Sequence, residues 1–138
     1  MMDPGLHALR VWMIISVFLY GPAVLVFLFG QNMLLRSINT VSERFFHDRF
    51  PPIPESTEKF WLVLTNSMMV MLVVICIFVA VNPERYLAMV VIILASKFCS
   101  TSQYIYHFRQ KKYFAHMVGF LTDGPLFIIT LIFYIYAL

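Results

Sequence analysis

The sequence predicts an all-α integral membrane protein, a bundle of four transmembrane helices that forms a single domain over residues 1–138. The composition is 61% hydrophobic and only 12% charged, which lies outside the range of soluble domains. Two uncharged runs, 11–30 and 60–81, are each long enough to cross a hydrocarbon core about 30 Å thick. Two further runs, 86–107 and 113–138, can cross if one buried charge in each is tolerated. The predicted helices therefore cover about 9–30, 58–81, 84–107 and 113–138.

The first helix follows Arg10 and is expected to remain in the mature protein. Its apolar stretch is too long for a signal peptide, and no small-x-small cleavage pattern follows it. Gly21 and Pro22 interrupt the stretch near its middle. Because proline lacks a backbone donor, the sequence predicts a kink there.

A mixed segment, about 32–49, follows the first helix. Leu34, Ile38, Val41 and Phe45 recur at helical spacing between polar residues, which predicts an amphipathic helix. Three placements are open: flat in the cytoplasmic headgroup layer, docked on a partner subunit, or as an extension of helix one. The proline-rich run 50–54 then predicts an extended connector.

The second and third helices are predicted to be antiparallel neighbours. Ser56 or Thr57 can cap the second helix, and Trp61 lies where an interfacial anchor is expected. Asn82 and Pro83 form a tight turn in which the asparagine caps the third helix and the proline takes its first position.

The third and fourth helices each carry one charge inside an apolar run. Lys97 and Asp123 lie at equal sequence distance from Gln110, in the turn that joins these helices, so an antiparallel pair places them at equal depth. At about 1.5 Å per residue, that depth is roughly 15 Å below the turn, near the membrane centre. A lone charge there costs at least ~2.5 to 3.5 kcal/mol, so we expect the two residues to pair.

The same depth count predicts a polar layer that crosses all four helices. Its members interrupt apolar runs at one level; they are Tyr20, Asn66, Ser67, Lys97, Ser100, Thr101 and Asp123. His116 and Tyr104 lie opposite each other and are candidate ligand contacts. The layer has three interpretations: a buried ion pair that fixes helix packing, an ion or proton pathway, or a contact for a lipid or quinone.

Basic residues are concentrated at one end of the predicted bundle. Only Arg10 and Arg85 flank the other end, whereas the basic end has Arg36, Arg44, Arg49, Lys59, Arg109, Lys111 and Lys112. The positive-inside rule therefore predicts that both basic loops are cytoplasmic and both termini lie outside, and we expect a bacterial cytoplasmic (inner) membrane. This basic surface suits anionic lipid headgroups, so no nucleic acid is needed to explain it.

No catalytic pattern such as HExxH, CxxC, a glycine-rich phosphate loop or a serine–base pair stands in the sequence, so we expect no enzyme activity and no metal site. The chain is expected to be a small accessory or structural subunit of a larger membrane complex, with lipids and other subunits as partners. One alternative is a small oligomeric transporter or channel that uses Lys97 and Asp123. Another is a subunit of an electron-transfer complex that binds a lipid or quinone, which would be its sole bound cofactor.

Overall fold

The computed structural model describes residues 3–47, 49–55 and 59–138, with side chains for all of these except 59–61. Ser56, Thr57 and the Trp61 side chain, predicted as caps and anchor, lie outside the described part. Within that part the regular elements are helical: α1 (Pro4–Phe46), α2 (Lys59–Val81), α3 (Pro83–Tyr86), a 3-10 turn (Leu87–Met89), α4 (Val90–Gln110) and α5 (Phe114–Tyr136).

Four of the described helical segments are long and apolar enough to cross a membrane, which confirms the predicted all-α fold with four candidate spans. They are Pro4–Phe46, Leu62–Val81, Pro83–Gln110 and Phe114–Tyr136. The third segment has the lowest mean hydropathy, 1.4 against 2.6 for the second, because the polar residues of α4 fall within it.

The range of α1 covers both the predicted first helix and most of the predicted amphipathic segment. It begins at Pro4 because the side chain of Asp3 accepts a hydrogen bond from the Gly5 N–H at 2.8 Å. Its 43 residues form two helical stretches, which a kink at Gly30 separates. The backbone angles remain helical at Pro22 and depart from helical values at Gly30, with φ −133° and ψ 22°. The break in backbone angles therefore lies at Gly30 rather than at the predicted Gly21–Pro22 step.

The predicted amphipathic segment is the helical stretch of α1 that follows the kink at Gly30. It ends at Phe46, earlier than the predicted residue 49, and His47 takes the left-handed conformation of a helix C-cap. Asn39 fixes the following connector, since its side chain donates to the Ile53 carbonyl and accepts from the Ile53 N–H, each at 3.0 Å. The Phe46 ring also packs 5.1 Å from the Phe114 ring of α5.

The buried face of this stretch differs from the predicted stripe. Ser42 is 4% exposed, whereas Val41 is 43% and Phe45 is 68% exposed. Leu34 and Ile38 are half-buried. The apolar stripe is therefore only partly covered by the chain itself, because Asn39 and Phe46 contact the connector and the start of α5 instead.

Helix α1 packs against both α2 and α5, and α4 packs mainly against α5. Helices α2 and α4 touch each other only sparsely, although the short α3 turn joins them. The prediction that they are antiparallel neighbours is thus wrong for most of their length. The Asn82 side chain does cap the turn, accepting from the Arg85 N–H at 3.1 Å. Beyond this turn, α2 packs mainly against α1 and α4 packs mainly against α5.

The two chain ends meet at one end of the bundle. A Cβ on Gly5 would collide with the backbone carbonyl of Tyr136, so glycine permits α1 and α5 to approach closely there. The main buried apolar cluster lies in this half; its most buried members are Leu9, Met13, Cys76, Val79, Val90 and Ile93.

Candidate functional site

Lys97 and Asp123 are in direct contact. Lys97 Nζ lies 2.8 Å from Asp123 Oδ1, and Ser100 Oγ donates to Asp123 Oδ2 at 2.6 Å. Lys97 is 5% exposed, and its partner's side chain is 16% exposed. The three side chains converge because Lys97 and Ser100 are three positions apart on one face of α4, which packs against α5. The residues that the sequence places at equal depth therefore form a hydrogen-bonded ion pair.

Helix α1 contributes an aromatic ring to the pair. The Lys97 ammonium lies 4.7 Å from the centre of the Tyr20 ring, within the range of a cation–π interaction. Tyr20 is 3% exposed. The lysine thus has a carboxylate partner on α5 and an aromatic partner on α1, so one side chain connects three helices.

The remaining predicted members of the polar layer do not join this network. Ser67 is exposed, and its hydroxyl donates to the Leu64 carbonyl of its own helix at 2.8 Å. Asn66 Oδ1 and Thr101 Oγ1 are buried without a hydrogen-bond partner in the described part of the chain. The Tyr20 hydroxyl is likewise buried without a hydrogen-bond partner among the described residues. Three polar atoms of the predicted layer therefore lack partners, which is costly in an apolar interior.

A cavity of about 760 Å³ lies beside the ion pair. It is partly open and lined by residues from all four long helices, because α2 and α4 do not close against each other at this level. Lys97, Ser100 and Asp123 are on its polar side, and Tyr20 also lines it. The apolar side includes Leu19, Ala23, Phe27, Met68, Met69 and Leu72.

Aromatic and imidazole rings extend from the cavity towards the basic end. Tyr104 lines the cavity, and its ring lies 6.2 Å from that of His116. The His116 ring in turn lies 5.7 Å from that of His107. A Cβ on Gly119 would approach the Tyr104 ring to 2.8 Å, so the glycine lets this ring pack against α5. The two predicted ligand contacts are therefore adjacent, but only Tyr104 lines the cavity.

The predicted basic surface residues Arg36, Arg44, Arg49, Arg109, Lys111 and Lys112 are all exposed. Arg36 forms a two-point contact with Glu55 in the connector, and its Nη2 lies 3.2 Å from Glu55 Oε2. This hydrogen-bonded guanidinium holds the pKa of the Glu55 carboxyl below its usual range. The stabilisation from this contact is therefore fully present above the ordinary carboxyl pKa and is lost as the pH falls through the lowered value.

Sequence reasoning did not identify a second buried polar contact, between Trp12 and Thr130. Trp12 Nε1 donates to Thr130 Oγ1 at 2.9 Å, and the indole ring stacks 5.7 Å from that of Phe133. Thr130 is 1% exposed. Two signals point to it: an indole N–H requires an acceptor when buried, and Thr130 lies seven residues after Asp123 on the same face of α5.

Sequence reasoning also did not identify several polar residues that line the cavity, namely Thr65, Ser96, Gln103 and Thr122. Their position depends on the separation of α2 from α4, which no sequence pattern indicates. Comparisons of the chain with protein-family models, with curated proteins and with solved structures gave no match.

Proposed function

We propose that this chain is a small accessory subunit of a larger integral membrane complex and that it holds one amphiphilic molecule in the cavity between its helices. The observation that carries this proposal is the cavity of about 760 Å³, which all four long helices line and which has the Lys97–Asp123 pair in its wall. Its volume lies within the range of roughly 300 to 1,000 Å³ that is typical of small-molecule sites.

The open space beside the ion pair favours a binding role over a purely structural one. A pair that only fixes helix packing is best enclosed by side chains from every neighbouring helix, since buried charges require complete satisfaction. Here the pair lies in the wall of a partly open cavity, and the Asp123 side chain remains 16% exposed. The methionines of α2, Met68 and Met69, are adaptable side chains suited to an apolar tail.

A role as a subunit is supported by exposed apolar residues on α1 around and beyond its break. Phe29 is 82%, Met33 is 76% and Phe45 is 68% exposed. Phe45 lies beyond the kink at Gly30, next to Phe46, whose ring packs on Phe114 at the start of α5. A partner subunit would cover these side chains.

Transport through the ion pair is the second candidate function. The observation that favours it is the succession of Tyr104, His116 and His107, which extends groups able to carry protons from the cavity towards the basic end. Such a protein would function alone or as a homo-oligomer.

One experiment tests the binding proposal and separates the two candidates. The chain is purified from its native membrane in mild detergent, and the intact assembly is weighed by native mass spectrometry. We expect unrelated protein chains in fixed stoichiometry and one bound amphiphile per copy. Ala23→Trp places a large ring in the cavity and should abolish retention of the amphiphile. The matched control Val11→Trp lies on the same helix, 45% exposed and outside the cavity lining, and should retain it.

Equal retention by Ala23→Trp and the wild type would overturn the binding proposal. Recovery of the chain alone or as a homo-oligomer, with no other polypeptide, would replace the subunit role by the transport role.

We also propose that the basic end faces the cytoplasm and both termini face the outside of a bacterial inner membrane. The charge distribution supports this orientation. Cysteines introduced at the exposed residues Glu43 and Gln110 should resist a membrane-impermeant thiol reagent in intact cells and react after permeabilisation. A variant in which serine replaces the exposed Cys99 gives the background level of labelling. Ready labelling of both positions in intact cells would reverse the orientation.

A further inference from the structure

The charges around the cavity are already balanced. Lys97 and Asp123 are the charged residues in its described lining, and they neutralise each other across 2.8 Å. An anionic ligand would bring a second negative charge next to Asp123, and a cationic ligand a second positive charge next to Lys97. Since an unpaired charge near the membrane centre is costly, the lining favours an uncharged ligand.

Two groups at the polar side of the cavity have unused hydrogen-bond donors. Each carboxylate oxygen of Asp123 already accepts one hydrogen bond, from Lys97 or from Ser100. The lysine ammonium has three N–H donors, of which the structure pairs one with Asp123. The Tyr20 hydroxyl, on a residue that is 3% exposed and lines the cavity, has no partner among the described residues. A ligand that supplies an acceptor would satisfy the remaining Lys97 donors, and it would reach the buried Tyr20 hydroxyl after a rotation of that ring.

The depth of these donors restricts the source of the acceptor. Counting from the turn at the basic end places them roughly 15 Å below it, near the middle of the hydrocarbon core. The phosphate of a membrane phospholipid lies at the interface, so such a headgroup would have to enter the core to reach them. An uncharged lipid-soluble molecule can enter from the side through the gap between α2 and α4.

We infer that the ligand is an uncharged amphiphile that presents a carbonyl acceptor to Tyr20 and Lys97, the chemistry of a quinone ring, with its apolar tail along α1 and α2. This inference rests on the proposed binding function and specifies its ligand class. A diacylglycerol ester carries the same acceptor group, so the test distinguishes that source from a quinone.

The test measures calorimetric binding to the purified full chain at a fixed detergent concentration. The probes are a decyl-substituted benzoquinone, dioctanoylglycerol, decanoate and decane. We expect the quinone to bind and decanoate to bind at least about tenfold more weakly, since the carboxylate is charged. Tyr20→Phe removes one hydroxyl donor and should weaken quinone binding about 2- to 10-fold, the effect of one neutral hydrogen bond, while binding of decane is unchanged.

Thermal unfolding without ligand separates this role from a merely structural one. Because the Tyr20 hydroxyl has no partner in the described part of the chain, Tyr20→Phe should leave the melting temperature unchanged or raise it. Tyr106→Phe removes a hydroxyl from a residue that is 59% exposed and outside the cavity lining, and it should change neither binding nor melting. Ala23→Trp provides a second, independent block of quinone binding, with Val11→Trp as its control.

The outcomes are distinct. Tighter binding of dioctanoylglycerol than of the quinone, with the same loss in Tyr20→Phe, supports the uncharged carbonyl class and identifies a lipid as its source. Binding of decanoate or decane as tightly as the quinone overturns the ligand class but leaves the binding function standing. Failure of all four probes to bind overturns the ligand class, and the binding function falls with it if Ala23→Trp also retains the native amphiphile.

Discussion

The half of the bundle that holds both chain ends is closed, whereas the half that holds the basic loops is open. In the closed half, Met13, Val79 and Val90 from three helices are 0% exposed. In the open half, a cavity of about 760 Å³ lies between the helices, and Met68 in its lining is 50% exposed. The Lys97–Asp123 pair lies at the boundary between the two. Packing therefore holds the helices together at one end and leaves room for a ligand at the other.

The difference follows from how the helices are joined and where small residues lie. The short α3 turn and the contact of Gly5 with Tyr136 bring all four long helices together at the closed end. At the open end, α1 continues past Gly30 to the connector and the α4–α5 turn, where Phe46 meets Phe114.

The largest effect is expected at the boundary. Lys97→Met leaves an unpaired carboxylate and Asp123→Asn an unpaired ammonium, and the loss of one partner of a buried pair costs about 3 to 5 kcal/mol. The double variant removes both charges and should recover much of that loss. The measurement is thermal unfolding in detergent for the wild type, both single variants and the double variant.

The double variant also shows whether the Lys97–Asp123 pair contributes to binding in the cavity of the open half. Recovered stability with lost amphiphile retention would connect the pair to the cavity. Recovered stability with normal retention would reduce it to a packing element of the closed half. Simple additivity of the two single effects would contradict the contact itself, because residues that touch are energetically coupled.

A smaller effect should separate the two halves directly. Met13→Ala creates a cavity in the closed half and should lower the free energy of unfolding by about 2 kcal/mol. This is the low end for buried methionines, because a side chain exposed in a membrane meets lipid rather than water. Met68→Ala is the matched change at the open cavity and should cost less than about 1 kcal/mol. Unfolding of the purified variants under one detergent condition measures both. Equal costs would mean that the two halves are packed to the same degree.

Much of the site is readable from the sequence, because depth in a membrane hairpin depends only on the position of the turn. Equal distance from Gln110 predicts the contact of Lys97 with Asp123, and helical spacing adds Ser100. Tyr20 belongs to the predicted layer, but its stacking on the lysine depends on the rotation of α1. Ser67 was predicted at the same depth and bonds within its own helix instead, because depth does not determine which way a side chain faces.

The sequence by itself determined the all-α class, four apolar helices and the level at which their charges meet, since hydropathy, turn residues and a rise of about 1.5 Å per residue are local properties. The tertiary structure decided which helices touch. Only the packing of α1 against both α2 and α5 separates α2 from α4 and opens the cavity. The contact of Trp12 with Thr130 also depends on the packing of α1 against α5. These features depend on contacts between side chains far apart in sequence, and such contacts form only when the helices pack together.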